Sequence, residues 1–355
     1  MIKQKRIALF ASLLFLILHA SPVLPQNADI VKISDNIYAF IPPEPCKDYV
    51  DGNSTLIITP GGLVIIDTRT DYISAVTEIA EIKKLTSLPV KYIINTHWHY
   101  DHILGNEAFK KEWPDAVIIA HKDCLKQMEE NVPQSLALEP GASKDLIKQF
   151  NDELASGIGG DSKPLSEYDI VRHKQTITDL EEFIKYPIPK YIKPEMVFDS
   201  SITIYPGGVE IQLSRWGNGH TIGDAMVWLP AEKILITGDN VVAPVPYSLG
   251  NYVKGQTEIL EKIMQLDLSV IIPGHGRVQY DKKYVSSLIP LFNSAELQVN
   301  ACFTKGMTVD ECIKSVNFDE YISQFVTDDE SAYAFKNYFA VPVIRAIYNN
   351  ELSNK

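Results

Sequence analysis

The chain has 355 residues, with 45 Asp and Glu against 33 Lys and Arg, for a formal net charge of −12. Its 45% apolar and 22% charged residues are an ordinary globular composition, and a chain of this length can bury about 75% of the surface it exposes when unfolded. The acidity argues against a nucleic-acid or anionic-membrane partner, because phosphate binding needs a basic face, and its simplest role is solubility.

The first segment has the order of a secretory leader. Lys3, Lys5 and Arg6 precede an apolar run from Ile7 to Leu18, followed by the small residues Ala20 and Ser21. The run is short of the roughly 20 residues of a bilayer span. The expectation is therefore a signal peptide over residues 1–20, a secreted or periplasmic protein, and no stable membrane association after cleavage. Export implies an oxidising compartment. The cysteines are Cys46, Cys124, Cys302 and Cys312, and Cys302 with Cys312, flanking the turn-like FTKGMTVDE, are the expected disulfide. None has the C-x-x-C spacing of a zinc–thiolate site.

Next, IVKISDNIYAFI alternates as a strand or hairpin, and NSTLIIT and LVIIDT read as two strands joined by a tight Pro-Gly-Gly turn. From Ser74 to Leu88 the spacing is helical, with Ile79, Ile82 and Leu85 on one face. VKYIIN and AVIIA are buried strands, the second ending at His121. The polar stretch from about 125 to 195 reads as an insertion, with helical pieces around Lys144–Leu154 and Ser166–Phe183, serving as a solvated flap or as one wall of a cleft. SITIYPGGVEIQLS then repeats the earlier strand, turn, strand pattern, and AMVWLP, KILITGD, a helix over QTEILEKIMQL and the strand SVIIPGHG follow. The recurrence suggests two similar halves of a layered α/β fold. Residues 281–355 read as helical, with Pro342 expected to kink or interrupt the last helix.

The chemistry concentrates in NTHWHYDHILGN. His97 and His99 are one residue apart, so in an extended segment both rings leave on one side and can share a metal. Asp101 and His102 follow where the chain has left the strand, and can serve a second position. Catalytic zinc keeps an open coordination position, so further ligands should come from other strand ends. His220 in GNGHTIGD, Asp239 in ILITGDN and His275 in VIIPGHG each stand at such a place. His121 reads as structural, His173 as a surface residue, and Trp98 as packing under the loop. Trp216, Tyr247 and Tyr252 are candidates for the mouth of the cleft.

HWHYDH, then GHTIGD, TGD and PGHG, in this order, resembles the metallo-β-lactamase superfamily, over roughly Asp29 to Gly276. The resemblance implies an αββα sandwich of two related halves over residues 29–280, with the helical insertion inside it and a helical C-terminal extension over 281–355. It implies a dinuclear zinc site: His97, His99 and His220 on one ion, Asp101, His102 and His275 on the other, and Asp239 bridging, as in glyoxalase II and related hydrolases. Asp67 would support the site from behind, and Asp224 would orient a ligand. Zinc-activated hydroxide, held in its attacking orientation by Asp101, would cleave an ester, thioester, lactone or amide of a small-molecule substrate. β-Lactam hydrolysis is the narrower alternative. It is disfavoured by Asp239, where the best-known zinc β-lactamases have a cysteine or serine. An iron-dependent sulfur dioxygenase is a further alternative within the superfamily.

Overall fold

The computed structural model describes residues 28–43, 51–160, 162–185, 189–248 and 252–353. The expected leader and Cys46 lie outside them. Among the described residues no helix is long and apolar enough to cross a membrane.

Two sheets face each other. The first runs β1 (Asp29–Lys32), β2 (Ile37–Ile41), β3 (Ser54–Thr59), β4 (Gly62–Ile66), β5 (Val90–Ile94), β6 (Val117–His121) and β7 (Met196–Phe198) in spatial order. Its β1 to β4 are antiparallel and its β4 to β7 parallel. The second sheet contains β8 (Ser201–Ile204), β9 (Ile211–Ser214), β10 (Met226–Leu229), β11 (Ile234–Ile236) and β12 (Val270–Ile272), in the order β12-β11-β10-β9-β8. Only β11 and β12 pair in parallel there.

The period-2 alternation of strand side chains builds the layers. Along β4, Val64 and Ile66 point into the inter-sheet core with Ile57, Ile94, Leu213, Val227 and Ile272. Leu63 and Ile65, one residue out of phase, enter a separate core under α1 (Tyr72–Leu85) and α3 (Asn106–Glu112), with Ile79, Ile82 and Phe109. A strand buried on both faces reads as a continuous apolar run, as LVII does. Asp71 starts α1 by accepting bonds from the amides of Ile73 and Ser74. The expected face holds for Ile79 and Ile82, but Leu85 is 38% exposed, because the helix ends there and the chain turns away extended at Thr86.

The outer face of the second sheet is covered by α6 (Val253–Gln265), α7 (Lys283–Thr304) and α8 (Val309–Ser315), then α9 (Asp319–Ile322), α10 (Asp329–Ala334) and α11 (Val341–Ser353). Leu235 and Ile271 of the sheet share one core with Leu288, Phe292, Phe339 and Ile344, so these last helices complete the second α layer. Pro342 acts as expected: a π-helical turn at 335–340 separates α10 from α11.

Two expectations are corrected. The insertion is helical from its first residue, as α4 (Lys122–Ser156) followed by α5 (Glu167–Phe183), rather than from Lys144. The cause is a narrow stripe: Cys124, Met128, Val132 and Leu136 recur every fourth residue and are buried against Tyr100, Ile103 and Leu104 of the loop and helix α2 (Tyr100–Ile103). Gly157, at φ 70°, ends α4 in the left-handed conformation. The second correction is the disulfide. Cys302 and Cys312 are buried free thiols, packed as small apolar groups where α7 and α8 meet. Burial, then the adjacent Cys302, pushes the Cys312 thiol up to about 12.

Ile57 is 1% exposed in the inter-sheet core. Ile57→Ala is expected to destabilise the protein by about 2–5 kcal/mol, read as a lower urea midpoint with an unchanged slope.

Candidate metal centre

The C-terminal ends of β4, β5, β11 and β12 open at one edge of the sandwich. Asp67 follows β4, His97 and His99 follow β5, Asp239 follows β11 and His275 follows β12. His220 comes from the loop between β9 and β10, tied to the β5 loop where the Ala225 amide donates to Thr96 O at 2.7 Å. Asp101 and His102 lie in α2. Asp67 and the seven candidate ligands are all buried, His99 being the most exposed at 7%.

The structure gathers the seven candidate ligands into two groups sharing Asp239: His97, His99, His220 and Asp239, and Asp101, His102, Asp239 and His275. Within each group the ligand-type atoms lie within 4.8 Å of one another. His99 Nδ1 is 2.9 Å from His220 Nε2, and His102 Nε2 is 3.3 Å from His275 Nε2. Asp101 Oδ2 is 3.0 Å from His275 Nε2. Asp239 reaches both groups, with Oδ2 3.4 Å from both His220 Nε2 and His275 Nε2, and Oδ1 3.2 Å from His102 Nε2.

These atoms fit a metal. Asp67 Oδ2 accepts from His102 Nδ1 at 2.8 Å, so the other nitrogen of that ring turns a bare lone pair toward the cluster. The Thr96 hydroxyl donates to Asp67 at 2.7 Å, and its oxygen is left to accept from His97 Nδ1 at 3.0 Å. That fixes the same tautomer in His97, whose buried Nε2 has no hydrogen-bond partner. Lone pairs converging in a buried space repel unless a cation lies among them. The acid–base balance agrees. Burial alone would raise Asp101 and Asp239, but the surrounding histidines outweigh it and hold both well below the usual carboxylate range. Burial also opposes charge on His275, yet Asp239 and Asp101 raise it to about 9, whereas burial drives His220 down to about 4.

The remaining candidates separate clearly. Among the described residues, Asp224 makes its hydrogen bonds to Thr221 and Asn240 rather than to an imidazole. It accepts from the Thr221 amide at 2.9 Å and from Asn240 Nδ2 at 3.2 Å, and Asn240 Oδ1 accepts from the His220 amide at 3.3 Å. It thus steadies His220 through the backbone, and burial pushes its carboxyl up to about 7. His121 is structural: it caps α4 by accepting from the Asp123 amide, and its other nitrogen bonds Asp199 O. His173, expected at the surface, is half-buried instead, bonded to Glu153 at 2.8 Å and stacked on Phe150, and so ties α5 to α4. Trp98 packs with the Tyr100 cluster and edge-on to His99. Trp216 bonds Ser214 and packs on the C-terminal core. Tyr247 is buried with its ring 5.5 Å from that of His275, and Tyr252 is 37% exposed.

Sequence reasoning missed a buried charge network behind the site. Asp51 pairs with Arg69, which also reaches Glu78 at 3.2 Å. The signal was present in DTRTD, where Arg69 follows Asp67 into a strand end that the fold buries.

An αββα sandwich with a buried His/Asp cluster at the common edge of its sheets is the architecture of a class of metal-binding hydrolases. The model of the metallo-beta-lactamase superfamily matches residues 48–275, and the chain belongs to that superfamily. It is 22% identical over 291 residues to a linear primary-alkylsulfatase of Pseudomonas sp. (strain ATCC 19151), covering 76% of this chain and 51% of the relative. It is 24% identical over 235 residues to a metallo-beta-lactamase type 2 of Bacillus sp. (strain 170), covering 64% of this chain and 68% of the relative. Among solved structures, the metallo-beta-lactamase from Pontibacter korlensis aligns with a TM-score of 0.54 at 19% identity, over 75% of this chain and 99% of its own. The inverting sec-alkylsulfatase Pisa1 from Pseudomonas sp. aligns with 0.62 at 14%, over 92% of this chain and 50% of its own. The chain spans about half the length of these alkylsulfatase relatives.

If His97 is a ligand, His97→Ala is expected to fold but carry less metal. Native metal content in the variant, by elemental analysis, would remove His97 from the ligand set. A second expectation concerns Glu78, whose carboxyl burial raises from 4.5 to about 7. The folded state then binds a proton that the unfolded state has released, so this contribution to stability is full below about pH 4.5 and lost as pH rises through 7. Glu78→Gln, which cannot ionise, should gain stability relative to the native protein between pH 5 and pH 8 in parallel urea titrations.

Proposed function

We propose that this chain is an exported metal-dependent hydrolase that holds two zinc ions and cleaves an ester, thioester, lactone or amide bond in a small molecule. His97, His99 and His220 would hold one ion, Asp101, His102 and His275 the other, and Asp239 would be shared. The observation that carries this reading is the pair of buried ligand groups meeting at Asp239. Two zinc ions so held would lower the pKa of a water to about 7 and polarise the scissile group. The chain's own residues supply the rest. Asp67 and Thr96 hold His102 and His97 in the tautomers that turn Nε2 inward. Asp101 stays ionised among the histidines, placed to orient the attacking water. Burial of all seven side chains strengthens each of these interactions by excluding bulk solvent.

Two narrower readings have separate support. Relatives named as β-lactamases match in sequence and fold, which favours β-lactams. The sulfatase alignment takes in 92% of this chain, a share too large to leave out the C-terminal helices, which favours sulfate esters.

The test is hydrolysis by zinc-loaded mature protein of a chromogenic cephalosporin, 4-nitrophenyl esters, a thioester, a lactone and an alkyl sulfate, with Asp239→Ala as control. Turnover of at least one, reduced at least about 100-fold in the control and falling in acid as ligand histidines protonate, is expected. A protein with two zinc ions and no activity on the panel would count against hydrolysis of these bonds. A single iron in the purified protein would favour the sulfur dioxygenase instead.

A further inference from the structure

The segment Asp51-Gly52-Asn53-Ser54, which leads into β3, carries no ligand, yet it touches the Asp101, His102 and His275 group from two sides. The Asn53 amide donates to Gly274 O at 2.7 Å, and Asn53 Nδ2 donates to Pro273 O and Gly276 O, both at 2.8 Å. Three bonds from one buried residue therefore grip the loop on either side of His275. The preceding residue serves the other half of the group. The Gly52 amide donates to Asp101 O at 3.2 Å. A Cβ on Gly52 would lie 2.6 Å from both Asp101 O and the His102 ring, so only glycine allows this approach.

The segment is itself anchored. Asp51 Oδ1 accepts from the Thr70 amide at 2.9 Å and Oδ2 from Arg69 Nε at 2.9 Å. Arg69 reaches Glu78 on α1, and the Ser54 hydroxyl donates to the same carboxylate. The loop that holds Arg69 returns to the site, where the Thr68 amide donates to His102 O at 2.9 Å and Arg69 O accepts from the Gly105 amide at 3.3 Å. The other ligand group has a different support: Thr96 for His97, and Asn240 with Asp224 for His220. Among the described residues, no hydrogen bond runs from positions 51–54 to His97, His99 or His220.

We propose that Gly52 and Asn53 are positioning residues for the Asp101, His102 and His275 metal position alone, so that the two positions can be weakened independently. The inference rests on the two-metal reading. Apart from the support that Asp67 gives to both positions, each has its own scaffold: the Asp51–Ser54 segment for one, the Asn240–Asp224 pair for the other.

The test is zinc titration against a chromophoric chelator for native protein, Asn53→Ala, Gly52→Ala and Asn240→Ala. Asn53→Ala is expected to bind one zinc natively and the second about 10–100-fold more weakly, the usual cost of losing a group that orients a ligand. Gly52→Ala should do the same while keeping every hydrogen-bond donor, and serves if Asn53→Ala does not fold. Asn240→Ala should weaken the other position. Combination identifies the site: Asn53→Ala should add nothing to His275→Ala but remove the remaining zinc from His220→Ala. Native protein that binds one zinc overturns the two-metal reading and this inference with it. Native protein with two, and an Asn53→Ala protein that binds both as tightly or loses both alike, overturns this inference alone.

Discussion

The carboxylate of Asp67 fixes the orientation of two imidazoles at once. It accepts from His102 Nδ1 directly and from the Thr96 hydroxyl, which in turn accepts from His97 Nδ1. It also accepts from the Thr96 amide at 2.8 Å, so it holds the backbone of the β5 loop together with the rings that loop carries. One histidine from each ligand group is therefore locked to the same anion, and the spacing between the groups follows from that shared support. Asp67 takes this position at φ 60°, a backbone conformation that costs free energy for a non-glycine residue and persists where the surroundings over-determine it.

The fold exists to bring such strand ends together. Four parallel or near-parallel strand ends open on one edge, two from each sheet, and apolar packing between the sheets sets their separation. Loops at such an edge lie at the rim of the sandwich and can carry polar side chains without breaking a ladder. A buried cluster of five histidines and two aspartates is nonetheless costly to bring out of water. Its members offset part of that cost mutually, as the opposed pKa movements of Asp101 and His275 show, and a bound cation would offset more.

Ligand-type residues were legible in the sequence because their chemistry is unusual and their spacing local: His97 to His102 fall in one stretch, Asp239 and His275 each end an apolar run, and His220 stands just before one. The two-sheet architecture was legible through alternation and the repeated Pro-Gly-Gly turns. The supporting residues were not. Asn53 acts on groups 220 and 223 residues away in the chain, and nothing in DGNS separates it from an ordinary turn residue, while Arg69 is marked only by following Asp67 in DTRTD. The length of α4 was missed for a related reason. Its described buried apolar residues are the stripe Cys124, Met128, Val132 and Leu136 and, further along, Ala142 and Leu146, with mostly polar residues between, so its mean composition is that of a solvated segment. The Cys302 and Cys312 pairing failed differently. Proximity was read correctly from the turn, but proximity in a packed helical core does not require a bond.

The segments with the weakest sequence signal are also the ones that reach the candidate metal centre from outside the sandwich. Tyr247 lies with its ring 5.5 Å from His275 and 5.4 Å from Tyr338, on the π-helical turn after α10. Tyr338 accepts from Arg172 of α5 at 3.0 Å, and the Arg172 guanidinium lies 3.6 Å from the centre of the Tyr333 ring. A continuous line of contacts thus joins the insertion, the C-terminal helices and the candidate ligand His275, without passing through either sheet. The same sandwich carries relatives named for β-lactams and for alkyl sulfates, so the sandwich by itself does not choose the bond that is cleaved. In this chain, residues drawn from those two added segments pack one ring away from His275, through Tyr247.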